Sequence, residues 1–290
     1  MLAYVMDVEE RSTWLRTTPG ASELAQPFFC TEAGEFYARE GFATTRSRKD
    51  SYLVFYSLGG TGLIVQEGRK VELEAGHALL MDCRAPQLYQ TAPGHRRWHH
   101  LWTHVDGDGV RAMVEHGGLP LLAPIRLAEP TARHPFSTLA ESLERPDIGS
   151  RALAGLAVHE LLAAMVAASV ADETGTTTAD LVKRICALVD ERYADGLSLA
   201  DMAAAASVSP SYLLRLFKRH VGTTPYNYLL QRRITKSKEL LSETVMSVSE
   251  ISRAVGFTSE SNFSYRFSAM VGQSPREYRL ASPLTIEGRG

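Results

Sequence analysis

The stretch Ser198-Leu199-Ala200-Asp201-Met202-Ala203 returns 49 residues later as Ser247-Val248-Ser249-Glu250-Ile251-Ser252. Further on the offset becomes 50: Leu213 meets Phe263, Phe217 meets Phe267, Gly222 meets Gly272, Pro225 meets Pro275 and Tyr228 meets Tyr278. The inserted residue falls near Ser211–Ser261, where a turn feeds a helix. A unit this short, present twice, is neither a solenoid nor a propeller; two copies of one supersecondary motif are the simpler account.

Each copy reads as helix, tight turn, helix. In the first, Leu199–Ala206 is the leading helix, Ser207-Val208-Ser209 the turn, and Ser209 with Pro210 the start of the second helix, because serine caps a helix N-terminus and proline suits its first position. Leu213, Leu216 and Phe217 then face inward, leaving Ser211, Leu214, Arg215 and Lys218 outside, with Arg219 beside them. In the second copy Gly256 supplies the turn and Thr258 or Ser259 the cap. Phe263 and Phe267 form its core, while Ser261, Ser264 and Tyr265 face outward. This is the helix-turn-helix layout, whose second helix enters the DNA major groove. A helix predicted from Pro225 to about Glu243 joins the copies. A separation near one DNA turn, ~34 Å, would set both recognition helices on one face of the duplex.

Charge agrees with this reading. The net charge of −2 splits into −6 over residues 1–178 and +4 over residues 179–290. From Met202 to Lys238 there is no acidic residue, against Arg215, Lys218, Arg219, Arg232, Arg233, Lys236 and Lys238. Such a run attracts a phosphate backbone.

The first half is different. Residues 34–105 read as short strands: Tyr52-Leu53-Val54-Phe55-Tyr56, a turn at Gly59-Gly60-Thr61-Gly62, Leu63-Ile64-Val65, a turn at Glu67-Gly68, then Val71, Leu73 and His77–Met81 after Ala75-Gly76. Turns every 8–12 residues imply a sandwich or barrel. Gly59–Gly62 is read as a hairpin and not a phosphate loop, since no helix and no Lys-Ser/Thr pair follows. Residues 131–144 and 150–170 then read as helices around a break at Pro146–Gly149. Leu153, Leu156, Ala157, Leu161 and Ala164 share one stripe there, core first and partner surface second. Asp172–Thr178 is small and polar, a linker.

The segment Leu197–Leu280 resembles the whole DNA-binding domain of the AraC/XylS family of bacterial transcription regulators. The matching run is Ser209-Pro210-Ser211-Tyr212-Leu213-Leu214-Arg215-Leu216-Phe217-Lys218, then Gly222, Pro225, Tyr228-Leu229, Arg233-Ile234 and Ala254-Val255-Gly256-Phe257. Phe263-Ser264-Tyr265-Arg266-Phe267, Gly272, Ser274-Pro275 and Tyr278-Arg279 complete it. Where the family usually carries basic residues after Phe267, Ser268-Ala269-Met270 stand here, which implies a weaker phosphate grip by the second motif. More loosely, Tyr52–Leu58, Gly60-Thr61-Gly62, Leu73-x-Ala75-Gly76-His77 and Trp98-His99-His100-Leu101-Trp102 resemble the cupin-type jelly roll of the sugar-sensing members. Counted back from Trp98, Tyr89 falls without a gap on a sugar-contacting tyrosine of that fold. His100 and Trp102 fall on a ligand histidine and a stacking tryptophan, and Arg46, after a one-residue shift, on a ligand arginine.

The resemblance therefore implies an α+β protein of two domains: an N-terminal cupin-type β jelly roll with a helical dimerisation segment, and a C-terminal all-α domain with two helix-turn-helix motifs. The expected divisions are 1–148 for the barrel with a flanking helix, 149–170 for a dimerisation helix, 171–178 for the linker, 179–280 for the DNA-binding domain and 281–290 for a tail. That tail contains Ile286-Glu287-Gly288-Arg289, a processing-protease recognition sequence, and stands outside the fold argument. Ser211, Leu214, Arg215, Lys218, Arg219, Ser261, Ser264 and Tyr265 are the expected DNA-binding residues. Arg46, Tyr89, His100 and Trp102 are the expected ligand-binding ones. Expected partners are double-stranded DNA, a small effector (a carbohydrate by resemblance) and a second copy of the chain, with activation and a contact with RNA polymerase as the family's implication.

The rival is a metal-dependent cupin enzyme fused to a DNA-binding domain. His77, His95, His99, His100 and His104 invite it, but no His-x-His occurs, and His99 and His100, being adjacent, point to opposite faces of a strand. His99 and His104 are read as surface or edge residues and His100 with Trp102 as pocket residues, an aromatic plane beside a polar group suiting a sugar. A third reading leaves the barrel only a dimerisation role. No catalytic residue, metal or cofactor is assigned. The three scattered cysteines, Cys30, Cys83 and Cys186, have no metal-ligand spacing and fit a reducing cytoplasm. The first residues lack a secretory leader's basic and apolar regions. Leu153–Val170, interrupted by His159 and Glu160, falls short of a spanning segment, so no membrane partner is expected.

Overall fold

A computed structural model describes residues 2–145, 147–172 and 176–281. The chain divides into two compact units, Met1–Glu173 and Thr174–Gly290.

The first unit is built from ten antiparallel strands: β1 (Leu2–Val5), β2 (Thr13–Arg16), β3 (Phe29–Arg39), β4 (Ala43–Arg46), β5 (Tyr52–Gln66), β6 (Arg69–Glu74), β7 (His77–Asp82), β8 (Gln87–Thr91), β9 (Arg97–Asp106) and β10 (Ile125–Arg126). Helices α1 (Ala21–Leu24), α2 (Asp108–Glu115), α3 (Glu129–Leu143) and α4 (Ile148–Asp172) accompany them. The strand region thus starts well before residue 34. β1 and β2 have four residues each, too few for alternation to be read.

The sheet curls because β5 belongs to both of its halves. Tyr52–Tyr56 pairs with β7 and β9, while Gly62–Gln66 pairs with β6 and β8. Gly59–Gly62, expected to be a hairpin turn, is therefore the bend of one 15-residue strand. A bulge against β9 lies between Ser57 and Gly59, and Gly60 sits at φ +70. A Cβ on Gly60 would come 2.0 Å from the Arg97 carbonyl oxygen. Glycine-rich sequence serves a tight turn and a strand bend equally well; only the partners on either side decide. The real hairpin follows at Glu67-Gly68, where φ values of 49 and 78 give the turn that fits twisted strands.

Both faces of the central strands are covered. Inside the curl, Leu53, Phe55, Trp98 and Trp102 pack with Phe36, Phe42, Ile64 and Leu79. Outside it, Tyr52, Val54, Tyr56, Leu101 and Val105 pack beneath α3 and α4. Helix α4 contributes Ala154, Ala157, Val158, Leu161, Leu162 and Met165 to that outer core. Leu153 and Leu156, read from sequence as part of the buried stripe, are 52% and 60% exposed. The helix is so apolar around its circumference that periodicity alone does not place its buried edge. For the same reason Ile148–Ala171 is long and apolar enough by composition for a membrane span, contrary to the sequence reading. Here one face of it is spent on the barrel core.

The second unit holds α5 (Thr176–Arg192), α6 (Leu199–Ala205), α7 (Pro210–Val221), α8 (Pro225–Glu243), α9 (Val248–Ala254), α10 (Glu260–Val271) and α11 (Pro275–Ala281). The linker expected over 171–178 is shorter: α4 reaches Asp172 and α5 starts at Thr176, since short polar residues are at home at a helix start. The tail motif at 286–289 lies outside the described residues.

The duplication is visible in three dimensions. Each motif has its own core: Met202, Ala203, Leu213, Phe217 and Leu229 in one, Ile251, Val255, Phe263, Phe267 and Ile234 in the other. Caps recur in register. Ser198 with Asp201 and Ser247 with Glu250 form reciprocal capping boxes. Ser209 and Ser259 cap the second helices. Gly222 and Gly272 end those helices in the left-handed conformation. The turn residues correspond too, Ser207 at φ 56 and Gly256 at φ 87. The inserted residue therefore lies in the second turn, between Gly256 and the cap Ser259.

Candidate functional sites

The cavity is inside the curl of the first unit. Alternation along β9 sends Trp98, His100, Trp102 and His104 to the inner face; all four are buried. Gly34 lies opposite Trp102 in register, and a Cβ there would crowd the indole to 2.9 Å. β4 brings Arg46, β8 brings Tyr89, β3 brings Glu32 and Phe36, and β5 brings Leu53 and Phe55. The lining surrounds about 400 Å³ of space, open mouth included. The four residues expected to bind a ligand, Arg46, Tyr89, His100 and Trp102, all line it.

Hydrogen bonding fixes what these groups offer. His100 stacks on Trp98 at 3.7 Å, and its Nδ1 lies 3.2 Å from the Trp98 carbonyl oxygen. A carbonyl only accepts, so Nδ1 carries the proton. Burial pulls the imidazole pKa down to about 3, which keeps the ring neutral and leaves Nε2 an acceptor. That Nε2 and the indole N–H of Trp102 are buried without a protein partner. His104 lies 3.3 Å from Arg46 Nη1 through Nε2 and 3.0 Å from Ser51 Oγ through Nδ1. Arginine only donates, so His104 Nε2 accepts and Nδ1–H donates to Ser51. Burial, with the nearby Lys49 and Arg46 charges, pushes the His104 pKa well down. Burial lifts the Tyr89 hydroxyl to about 12 and keeps it a neutral donor.

His104 thus corrects its reading as a surface or edge residue: it is 2% exposed and lines the cavity, because the inner face of β9 stays covered along its whole length. His99 points the other way, stacked on Tyr37 at 4.0 Å and bonded to Glu35. Among the described residues no three His, Cys, Asp or Glu side chains converge as metal ligands.

The second surface is the outer face of α7 and α10. Ser211, Arg215, Lys218 and Arg219 are exposed on α7, and Leu214 is half-buried. On α10 Ser261 is exposed, Ser264 half-buried and Tyr265 69% exposed. α8, with 19 residues, spans about 28 Å at ~1.5 Å rise per residue and joins the two motifs. The acid-free run contributes less charge to this surface than its sequence implies. Arg233 is buried and donates to the carbonyls of Tyr193 and Asp195, both at 2.7 Å. Arg232 pairs with Asp190 and Lys236 with Glu239. Asp190 comes from α5, which a linear reading does not bring to Arg232, whereas Glu239 stands one turn after Lys236 on α8, just past the window.

Residues 30–162 match the AraC-like ligand binding domain, and residues 202–281 match the helix-turn-helix domain that accompanies it. The chain belongs to the AraC family of transcription regulators. It is 24% identical over 254 residues to the Msm operon regulatory protein of Streptococcus mutans, covering 82% of this chain and 87% of that protein. It is 26% identical to the raffinose operon transcriptional regulatory protein of Pediococcus pentosaceus (80% and 85% covered). With the arabinose operon regulatory protein of Escherichia coli it shares 24% (79% and 80%).

Several residues of this AraC-family regulator's sites were not singled out from its sequence. Trp14 on β2 packs edge-on against Trp102 at 5.7 Å and donates to Glu32 at 3.1 Å. Glu32 also pairs with Lys49, and Tyr4 and Met6 complete the mouth. The only local signal was the Thr13-Trp14-Leu15-Arg16 alternation, too short to use. On the DNA side Tyr212, 38% exposed, lies beside Arg215, its ring 5.5 Å from the guanidinium carbon. One helical turn between them was the available signal.

Proposed function

We propose that this regulator is a homodimeric transcription activator of the cytoplasm whose N-terminal cavity binds a small carbohydrate. The observation that carries the effector reading is the pair of sealed, unpartnered polar atoms in the aromatic cavity, the Trp102 indole N–H and His100 Nε2. A buried donor and a buried acceptor without partners are costly, and a sugar hydroxyl serves both. The names of the relatives, which refer to raffinose and arabinose operons, support a sugar. Ser211, Arg215, Lys218 and Arg219 of α7, with Leu214 at its edge, and Ser261, Ser264 and Tyr265 of α10 are proposed to contact DNA. Dimerisation is proposed through the outer face of α4, where Ile148, Leu153 and Leu156 are exposed. Activation, and with it a contact with RNA polymerase, follows the family resemblance.

A thermal-shift screen against sugars tests the effector, since a ligand that binds only the folded state stabilises it by RT ln(1 + [L]/Kd). The effector found should also raise expression from the regulated promoter. Trp102 is 5% exposed, so truncation to alanine would cost about 3–5 kcal/mol in the core and confuse folding with binding. Trp102→Phe keeps the aromatic bulk and removes the N–H. It should weaken the effector's shift while leaving DNA affinity unchanged. An undiminished shift in Trp102→Phe and in His100→Phe places the ligand elsewhere.

A further inference from the structure

The charges around the cavity do not balance. Glu32 is the single carboxylate in the described lining, and it is fully engaged: one oxygen pairs with Lys49 and the other accepts from Trp14. Arg46 also lines the cavity, and its side chain donates to His104 Nε2 at 3.3 Å, an uncharged acceptor. Among the described residues Arg46 has no carboxylate partner. One guanidinium charge is therefore left over, half-buried among aromatic walls that focus its field on whatever enters.

We infer that the effector is a hydroxylated carboxylate, a sugar acid, whose carboxylate pairs with Arg46 while a hydroxyl bridges His100 Nε2 and the Trp102 N–H. The inference rests on the cavity being the effector site, as proposed above. Arginine presents a planar fork that matches a carboxylate with two parallel hydrogen bonds. Lys49, already held by Glu32, is no competitor for it. A neutral sugar would satisfy the two unpartnered atoms but leave the Arg46 charge uncompensated. A plain aliphatic acid would satisfy Arg46 and leave His100 Nε2 without a donor. Only a ligand bearing both groups meets every observation.

The test uses the full chain and matched probes at pH 7: glucuronate with glucose, galacturonate with galactose, and gluconate with sorbitol, read by thermal shift and tryptophan fluorescence titration. At least one acid should bind about tenfold tighter than its uncharged counterpart, the scale of one well-formed charged pair. Arg46→Gln, which keeps a donor but removes the charge, should erase that preference. Arg46→Lys should keep much of it. If every uncharged probe that binds does so as tightly as its acid, the carboxylate is overturned while the sugar cavity stands. An Arg46→Gln variant that weakens acid and uncharged probe alike has the same consequence. If no probe of either kind binds, the inference fails together with the carbohydrate reading.

Discussion

Arg215, Lys218 and Arg233 are three cations of one acid-free run with two different fates. Arg215 and Lys218 are exposed on α7, whereas Arg233 is buried and holds the carbonyls of Tyr193 and Asp195. Arg215→Ala should relax sequence preference at one base position, by about 1–3 kcal/mol, in binding assays on systematically substituted promoter DNA. Equal weakening on all sequences would make it a phosphate contact. Lys218→Ala should weaken binding uniformly and reduce the log–log salt slope by about 1. Arg233→Met should leave that slope unchanged and lower thermal stability instead, because two charged hydrogen bonds worth roughly 1.5–3 kcal/mol each are lost. His100 makes a pH prediction. Its folded pKa near 3 lies below the ordinary 6.5, so between those values the unfolded chain binds a proton that the folded chain refuses. Stability should fall as pH drops through that window, with His104 acting in the same direction. His100→Phe should flatten the decline in melting temperature; an unchanged slope would show that other groups cause it.

At the scale of elements, the two motifs differ in their turns. Ser207 holds φ 56 with a side chain, where the second motif has Gly256 at φ 87. A non-glycine residue there costs roughly 1–2 kcal/mol, offset in part by glycine's greater chain entropy. Ser207→Gly should therefore raise stability by up to about 1 kcal/mol in denaturant titration. Gly256→Ala should do the opposite and by more. Its Cβ would meet the Ala194 carbonyl oxygen at 2.5 Å, adding a clash to the strain. If Ser207→Gly destabilises, the hydroxyl has a part in the turn that its backbone angle does not reveal. The basic last turn of α7, with Lys218, Arg219 and His220, has no counterpart in α10. The same substitution strategy on α10 should accordingly change the salt slope less.

For the whole molecule, the separate cores of the second unit predict that a fragment of residues 174–290 binds promoter DNA alone. Its log K should fall linearly with log salt by ~0.9 per phosphate neutralised. Absence of binding even at low salt would refute it. The outer face of α4 predicts an assembly state. Leu156 is 60% exposed, so Leu156→Glu should leave the barrel's melting temperature nearly unchanged yet produce monomers in sedimentation velocity. A persistent dimer would place the interface on another face.

The sequence by itself determined the helical half of this protein. Helix starts, caps and turns are local chemistry, and Ser198, Ser209, Ser247 and Gly256 carry it wherever they occur; a duplication then checks each reading against its copy. It also named Arg46, Tyr89, His100 and Trp102, through the two-residue period of β9 and family resemblance. Tertiary structure alone decided the rest. Whether Gly59–Gly62 turns or bends depended on which strands flank β5. Whether His104 is wet or buried depended on β3 and β4 closing over it. Which edge of α4 is covered depended on the barrel beneath it. That Arg233 is held inside by the carbonyls of Tyr193 and Asp195, and that Arg46 has no carboxylate partner among the described residues because Glu32 is taken by Lys49 and Trp14, depended on contacts that strand and helix periods do not specify. Burial and charge balance are set by neighbours in space, and a strand or an apolar helix does not specify its neighbours from its own residues.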